Sequence, residues 1–353
     1  MTVNAIASDD TQPDKDLALG GFFRRWRMTL VLFLGLGDIA HAQAPDVHRQ
    51  ETPPSPSVAT PGYVAKMLAP CSATDADACA ELGYAHLDGE GMPKDEIRAA
   101  SLFAQGCAFG SMRACTMAGY VYANGQGVAA DAAYAASYYA RACDGGETMA
   151  CSNLGLAYAH GLGVVENIVQ ANVLFDMACT QGQAAGCANL GASYSLGRGV
   201  SRNQHRAARL FRRACEAGNS HACYNLGVLY RDGQGLRQDY VRAAALFDQA
   251  CGADDASACG NLGFLVDDGR GALRDRTRAL SLFEKACALG DPESCFTLGR
   301  AFQTGKGIDR DYVRAEQLLK RALTLNPQTS SASAAIQALE LIRPATDPLP
   351  EAP

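Results

Sequence analysis

The chain has 353 residues, of which 48% are hydrophobic, 19% are charged and 14 are prolines. This composition supports a packed core and excludes a globally disordered or collagen-like chain. The 31 Lys and Arg against 37 Asp and Glu give a net charge of −6, which supplies no long-range attraction for phosphate backbones, so no nucleic-acid partner is expected. At this length the chain forms either two or more domains or one repeat array.

The N-terminal segment has the order of a secretory signal peptide. The basic stretch GFFRRWR precedes the short apolar run MTLVLFLGLGDIA, and small residues follow at Ala40 and Ala42. We therefore predict a signal peptide with an N-terminal extension over residues 1–42. The apolar run is shorter than the roughly 20 residues of a bilayer span, and an uncleaved membrane anchor is the alternative. After cleavage no stable membrane span would be left, and the protein would be periplasmic or secreted.

Residues 43–62 are predicted to form a linker. Five prolines lie there among Ser and Thr, a composition that favours an extended chain over a packed element. We expect the folded part over residues 63–342 and a disordered tail over residues 343–353.

Cysteines divide the folded part into units of equal length. Two series of seven cysteines each step by 36 residues without a slip, and several glycines keep the same period. A fixed period of this size is typical of a solenoid. The first series is Cys71, Cys107, Cys143, Cys179, Cys215, Cys251 and Cys287, and the second is Cys79, Cys115, Cys151, Cys187, Cys223, Cys259 and Cys295.

Each unit is predicted to contain two helices separated by a short Gly loop. In one unit, His221–Tyr230 and Asp239–Cys251 place apolar residues at helical spacing, and the DGQG sequence at Asp232–Gly235 separates them. A Gly recurs in every first helix, after Leu in six units and after Ala118 in the second, although Gly costs about 1 kcal/mol relative to Ala there. We therefore expect the backbone of the second helix to approach this Gly closely. Aromatic positions that recur on both helices are interpreted as core.

The combined pattern LGxxYxxGxGV…D…RAxxLFxxACxxGxxxAC resembles the Sel-one-like repeat family, which is related to tetratricopeptide repeats. Ala150–Val164 (ACSNLGLAYAHGLGV) and Arg206–Cys223 (RAARLFRRACEAGNSHAC) carry the motif, and the match covers residues 71 to about 323. The recurring C-x7-C is similar to the cysteine-rich secreted branch labelled Hcp. The resemblance implies an all-α fold, a right-handed α/α-solenoid superhelix of about seven 36-residue helix-turn-helix repeats. Residues 330–342 are expected to form a C-terminal capping helix.

The two cysteine series can pair in two ways. Pairing within a hairpin, as Cys79 with Cys107, leaves Cys71 and Cys295 alone, whereas pairing across each x7 spacer leaves none. We predict the second scheme for all fourteen cysteines, which agrees with an oxidising compartment. Each disulfide then closes a nine-residue loop, worth about 2.6 kcal/mol in the chain-entropy model. Free core thiols are the alternative, and no metal site is expected because no close CxxC or Cys/His cluster appears.

Motifs of common catalytic sites are missing from the sequence. It contains no S-x-x-K with S-D-N and K-T-G, no HExxH, no GxSxG, no GxGxxG and no Walker-type loop. We therefore predict neither catalytic residues nor a cofactor. The Hcp resemblance nevertheless implies an alternative function, penicillin or muropeptide binding with weak β-lactamase activity.

An Asn precedes the Leu-Gly pair in four successive units. An amide in a helix interior needs partners for its donor and its acceptor. In the tetratricopeptide-related pattern this position lies on the concave face, where an amide can hold the backbone of an extended ligand. The alternative is an Asn that bonds the neighbouring unit and only joins repeats. The four amides are Asn153, Asn189, Asn225 and Asn261, and we expect Tyr224, Phe264 and Arg300 to shape the groove beside them.

Together these features predict an exported, monomeric, non-enzymatic repeat scaffold. Its concave groove is expected to bind a protein or peptide partner, and a peptidoglycan fragment or a β-lactam is the other class of ligand.

Overall fold

A computed structural model describes residues 71–327 and 332–346. The predicted signal peptide (residues 1–42), the predicted linker (residues 43–62) and residues 347–353 lie outside the described residues. Within them, the regular elements are α-helices, which form seven hairpins and one further helix. We call the first helix of each hairpin its A helix and the second its B helix.

The A helices are α1 (Ala76–Asp88), α3 (Met112–Asn124), α5 (Thr148–His160), α7 (Ala184–Leu196), α9 (Ser220–Asp232), α11 (Ala256–Asp268) and α13 (Pro292–Thr304). The B helices are α2 (Glu96–Ala108), α4 (Ala132–Asp144), α6 (Ile168–Thr180), α8 (Gln204–Glu216), α10 (Tyr240–Gly252), α12 (Arg276–Ala288) and α14 (Tyr312–Leu325), and the last helix is α15 (Ala332–Thr346).

The same signals begin and end the helices in each hairpin. In the fifth hairpin, Gly233 adopts a left-handed conformation (φ 67°) after α9, and its N–H donates to the Leu229 carbonyl. The Asp239 carboxylate then accepts a hydrogen bond from the Arg242 backbone N–H at 3.0 Å and caps α10. Glycine is favoured in the first position because it has no Cβ to clash, and Asp in the second because it satisfies a free N–H at the start of the helix. The predicted helix–Gly loop–helix unit is confirmed.

A ring from the B helix packs against the recurring Gly of each A helix. A Cβ added to Gly227 would lie 2.7 Å from Cε1 of Phe247, whose side chain is fully buried. The expectation that the B-helix backbone approaches this Gly is therefore wrong, since an aromatic side chain fills the space in six hairpins. In the seventh, the side chain of Leu319 is the nearest group to Gly299.

A close approach to backbone occurs instead at the second Gly of a loop, between units. A Cβ on Gly271 would lie 2.0 Å from the carbonyl oxygen of Tyr240, at the start of the preceding B helix. Gly271 also has a positive φ of 73°, so both space and backbone conformation favour glycine there.

All fourteen cysteines form disulfides across the x7 spacer, as predicted. Each disulfide joins the end of a B helix, or in the first case the chain just before α1, to the beginning of the next A helix. The pairs are Cys71–Cys79, Cys107–Cys115, Cys143–Cys151, Cys179–Cys187, Cys215–Cys223, Cys251–Cys259 and Cys287–Cys295. Every junction between successive hairpins is therefore closed by a covalent bond.

The units stack side by side into an all-α solenoid. Three pairs of successive A helices, counting α15 as the last, make closer backbone contact than any pair of successive B helices in the described chain: α1 with α3, α5 with α7, and α13 with α15. This closer spacing makes the A helices the inner side of the array. Helix α15 takes the place of a further A helix and covers α13 and α14. It corresponds to the predicted capping helix, but it extends beyond residue 342 to Thr346.

The Gly–aromatic contact leads to a prediction for Gly227→Ala. The added methyl group overlaps the Phe247 ring, so we expect a loss of about 1–3 kcal/mol of unfolding free energy despite the better helix propensity of Ala. Gly252→Ala is the matched control, because no heavy atom lies within 4 Å of its added Cβ. Urea unfolding of both variants measures the difference. Equal stability of the two variants would contradict the packing described here.

Candidate functional site

The four predicted amides lie at equivalent places on four successive A helices. Asn153 is on α5, Asn189 on α7, Asn225 on α9 and Asn261 on α11, and each stands just before a buried Leu-Gly pair. Their helices lie on the inner side of the array. Equivalent position does not give them equivalent surroundings.

Two of the amides bond to the preceding unit. The Oδ1 atom of Asn261 accepts a hydrogen bond from Nη1 of Arg231 on α9, and its Nδ2 donates to the Ser257 carbonyl at 2.8 Å. Asn153 is a hydrogen-bond partner of the buried Tyr139 hydroxyl on α4. Burial raises the pKa of this phenol well above its ordinary value, so it is neutral at physiological pH. At these two positions the amide joins repeats.

The other two amides, Asn189 and Asn225, have no hydrogen-bond partner within the described part of the chain, and Oδ1 of Asn225 is buried without one. Ser195 occupies the place of Arg231 before Asn225, but its hydroxyl is already hydrogen-bonded to Oε1 of Gln204 at 3.1 Å. Before Asn189 the same place is taken by Ala159, which has no polar side-chain atom. These amides therefore keep free donor and acceptor groups on adjacent A helices.

A small cavity lies beside Asn189, between α5, α6 and α7. Leu156, Phe175 and Ala192 form apolar parts of its wall, and the cavity volume is about 20 Å³, enough for a single water molecule. His160 also lines it. Burial, together with the nearby Arg198, lowers the pKa of His160, so its imidazole is neutral at neutral pH. The surroundings of Asn189 thus combine apolar groups, neutral hydrogen-bonding groups and the cationic Arg198.

The three other predicted groove residues have different environments. Tyr224 is only 7% exposed and packs on Phe247 with 5.8 Å between ring centroids, and burial raises its pKa to about 12. Its assignment to the groove is wrong, because it belongs to the core. Phe264 is partly exposed and lies 4.8 Å from the Phe283 ring.

Arg300 supports the end of the array. Its Nη1 donates to Oε1 of Gln303, whose Nε2 in turn donates to the Ala338 carbonyl of α15 at 3.0 Å. This chain of hydrogen bonds connects α13 to the last helix. Arg300 is thus engaged in holding that helix, away from Asn189 and Asn225.

A set of contacts between units was not anticipated from the sequence. Nδ1 of His221 on α9 lies 2.8 Å from Oδ2 of Asp255, the residue that caps α11. The Ser152 hydroxyl similarly donates to Oε1 of Gln183, the cap of α7, at 2.8 Å. The signal for these contacts is a polar residue near the start of one A helix and a polar cap on the next, which becomes visible only when neighbouring repeats are aligned.

Within residues 71–327 and 332–346, no three His, Cys, Asp or Glu side chains gather in a way that could hold a metal ion. No helix among them has the length and hydropathy required to cross a bilayer.

Fold and disulfide pattern define a solenoid of helical hairpins. The family model for the Sel1 repeat matches the chain seven times, and the chain belongs to the Sel1 repeat family. The matched segments are residues 76–108, 113–147, 148–183, 184–219, 220–255, 256–291 and 292–327. Among curated proteins, none is significantly similar to this chain.

Several solved structures are similar to this chain. One is c5321, described as a protective antigen present in uropathogenic Escherichia coli strains and displaying an SLR fold, with 25% identity, a TM-score of 0.62 and coverage of 79% of this chain. The chain spans 59% of the length of c5321. A Sel1 repeat protein from Oxalobacter formigenes has 26% identity and a TM-score of 0.62 over 69% of this chain and 96% of its own. Helicobacter pylori cysteine rich protein B has 28% identity and a TM-score of 0.31 over 38% of this chain and 96% of its own.

The His221–Asp255 contact predicts a pH-dependent contribution to stability. The hydrogen bond to Asp255 raises the pKa of His221, so the protonated ring is favoured in the folded state. The stabilisation is therefore fully present below the unfolded pKa of about 6.5 and is lost as pH rises through the higher folded pKa. We expect His221→Asn to lower the melting temperature more at about pH 5.5 than at about pH 9. The difference should be small, since the His221 side chain is 73% exposed.

Thermal unfolding of parent and variant at both pH values and at two salt concentrations is the measurement. Salt should reduce the difference at low pH because the pair is exposed. If His221→Asn lowered the melting temperature more at about pH 9 than at about pH 5.5, the result would contradict a stabilising protonated His221 beside Asp255.

Proposed function

We propose that this protein is an exported, non-enzymatic scaffold that binds an extended peptide segment of a partner protein on its inner surface, across α7 and α9. The observation that carries the proposal is the pair of amides, Asn189 and Asn225, that have no hydrogen-bond partner in the described chain. A buried acceptor without a partner costs about 1–3 kcal/mol, and a ligand that displaces the side chains covering Oδ1 of Asn225 and supplies the missing bond recovers it.

The spacing of the two amides suits an extended backbone. Neighbouring packed helices are about 8–10 Å apart, and an extended chain rises about 3.3 Å per residue. One amide per unit therefore meets a peptide about every third residue. A carboxamide has both a donor and an acceptor, so it can bind the N–H and C=O of the same peptide group. This mode of binding depends weakly on the ligand side chain at that position.

Selectivity would come from the groups beside Asn189. Leu156 and Ala192 offer apolar surface, and His160 is neutral at neutral pH. Arg198 lines the same cavity, so this surface favours a small apolar side chain of the ligand over a cationic one, which would lose hydration and be repelled. The expected ligand is an extended segment without a cationic side chain at this place.

The disulfides support a location outside the cytoplasm. Seven disulfides form in the described chain, and such bonds persist in oxidising compartments. Together with the signal peptide expected from the sequence, they favour the periplasm or the extracellular space as the place of binding.

The amide pair is tested by cross-linked capture from envelope and culture fractions, with the oxidised protein as bait. We expect the parent to capture a partner and the double variant Asn189→Ala/Asn225→Ala to lose it without a loss of stability. Asn261→Ala is the matched control: its amide bonds Arg231, so this variant should lose stability and keep the partner.

Peptides that tile the captured partner would then show whether one extended segment binds alone. Equal capture by parent and double variant would refute the assignment of binding to α7 and α9. Loss of the partner only with Asn261→Ala would contradict it as well.

A further inference from the structure

One B helix carries an exposed apolar stripe on the outer side of the array. Val165 before α6, and Val169, Val173 and Met177 on it, are 87%, 62%, 55% and 38% exposed. Residues four apart lie on the same face of a helix, so the three side chains on α6 follow one line of roughly 12 Å, and Val165 lies in the loop just before it. The helix itself has a single charged residue, Asp176.

The repeat fold does not require this stripe. In the other six units the position of Met177 holds Gln, Arg or Lys, and the position of Val173 holds Ala, Ser, Gln or Arg. In the next unit the four equivalent residues are Ser201, His205, Arg209 and Arg213. A B helix needs only its inner face for the core, so the apolar outer face of α6 has another cause.

The neighbouring helix α8 has a positive charge that the described chain does not neutralise. Its arginines are Arg206, Arg209, Arg212 and Arg213, and none forms an ion pair within the described residues. Basic residues on later B helices do form such pairs, as Arg278 with Asp248 on the preceding helix. On α8, Arg206 lies over the Tyr194 ring at 4.4 Å and Arg212 donates to the Tyr230 hydroxyl at 3.2 Å.

The apolar stripe and the arginines are side by side. Nη2 of Arg213 donates to the carbonyl of Thr180, the last residue of α6, at 3.2 Å. Cross-unit contacts of B helices join residues 30 to 34 apart, as in Arg278–Asp248 and Lys285 with the Cys251 carbonyl. This register places Arg209 next to Met177.

The helix on the other side, α4, presents small residues and one arginine. Ala133 and Ser137 are exposed on it, as is Ala129 just before it, and the exposed Arg141 stands at the position equivalent to Met177. The small residues leave space beside the valines. The positive charge is concentrated on the α8 side, which has four arginines against one on α4.

We propose that the outer faces of α6 and α8 form a docking site for an amphipathic α-helix of a partner protein, whose apolar face covers Val169, Val173 and Met177 and whose acidic edge faces Arg209 and Arg213. The helical part of the stripe corresponds to a partner helix of at least about eight residues, or a little over two turns. Unpaired arginines along one edge select acidic residues and set the direction of the partner. A lipid surface fits less well, because it would favour an even basic charge on both sides of the apolar stripe, whereas α8 has four arginines and α4 has one.

The probe for this site is an 18-residue designed helix with Leu along one face and Glu along one edge. A second probe has Lys in place of Glu. Binding to the full oxidised protein is followed by fluorescence anisotropy at low and high salt. We expect the Glu probe to bind about tenfold more tightly than the Lys probe, with the difference reduced by salt.

Variants at exposed positions separate docking from folding. Val173→Ser/Met177→Ser should weaken the Glu probe about tenfold, and Arg209→Glu/Arg213→Glu should reverse the preference between the probes. Val241→Ser is the matched control, since Val241 is a 67% exposed apolar residue on α10 without the stripe. Asn189→Ala/Asn225→Ala should bind the Glu probe like the parent, which keeps this site distinct from the inner surface.

Equal binding of the Glu and Lys probes, or binding unaffected by Val173→Ser/Met177→Ser, would overturn the proposal. Binding to phosphatidylglycerol vesicles that depends on the same residues, without binding of the Glu probe, would also overturn it and assign the surface to a membrane.

Discussion

The structure depends on the covalent bond at each junction between hairpins. In a repeat array each unit contacts only its neighbours, so the shape of the whole is set by its junctions. Here the disulfides, such as Cys179–Cys187 and Cys215–Cys223, tie the end of one B helix to the beginning of the next A helix. The distance between Asn189 and Asn225 is therefore fixed before a ligand arrives, which lowers the entropic cost of binding.

Two kinds of contact hold the array together, one within hairpins and one between them. Within a hairpin, a buried ring such as Phe247 fills the space left by a glycine, and this contact keeps the two helices at one distance. Between hairpins, the disulfides act together with bonds such as His221–Asp255 and Arg231–Asn261. The first kind recurs in nearly every unit, whereas the second varies along the chain. Variation between units is what allows two repeats to carry an unpartnered amide each.

The fold was predictable from the sequence because its determinants are periodic. The 36-residue step and the C-x7-C spacing were sufficient for the helices and for the disulfide pairing. The site was predictable only in part, because identical residues have different neighbours. Arg231 stands 30 residues before Asn261 and donates a hydrogen bond to it, whereas the residue 30 positions before Asn225 is Ser195. The burial of Tyr224 likewise depends on Phe247 of the other helix. The outer stripe could not be predicted from α6 alone either. The exposed Val173 is unusual only in comparison with Arg209, which occupies the equivalent position of the next unit.

Hydrogen exchange of the oxidised and the reduced protein tests the division between hairpins and junctions most directly. Under native conditions, reduction should accelerate exchange around the junctions, such as residues 179–187 and 215–223. The middle of each hairpin, such as Gly227 and Phe247, should keep its protection. Equal loss of protection in both regions, or unchanged exchange at the junctions, would contradict the claim that the disulfides set the shape of the inner surface.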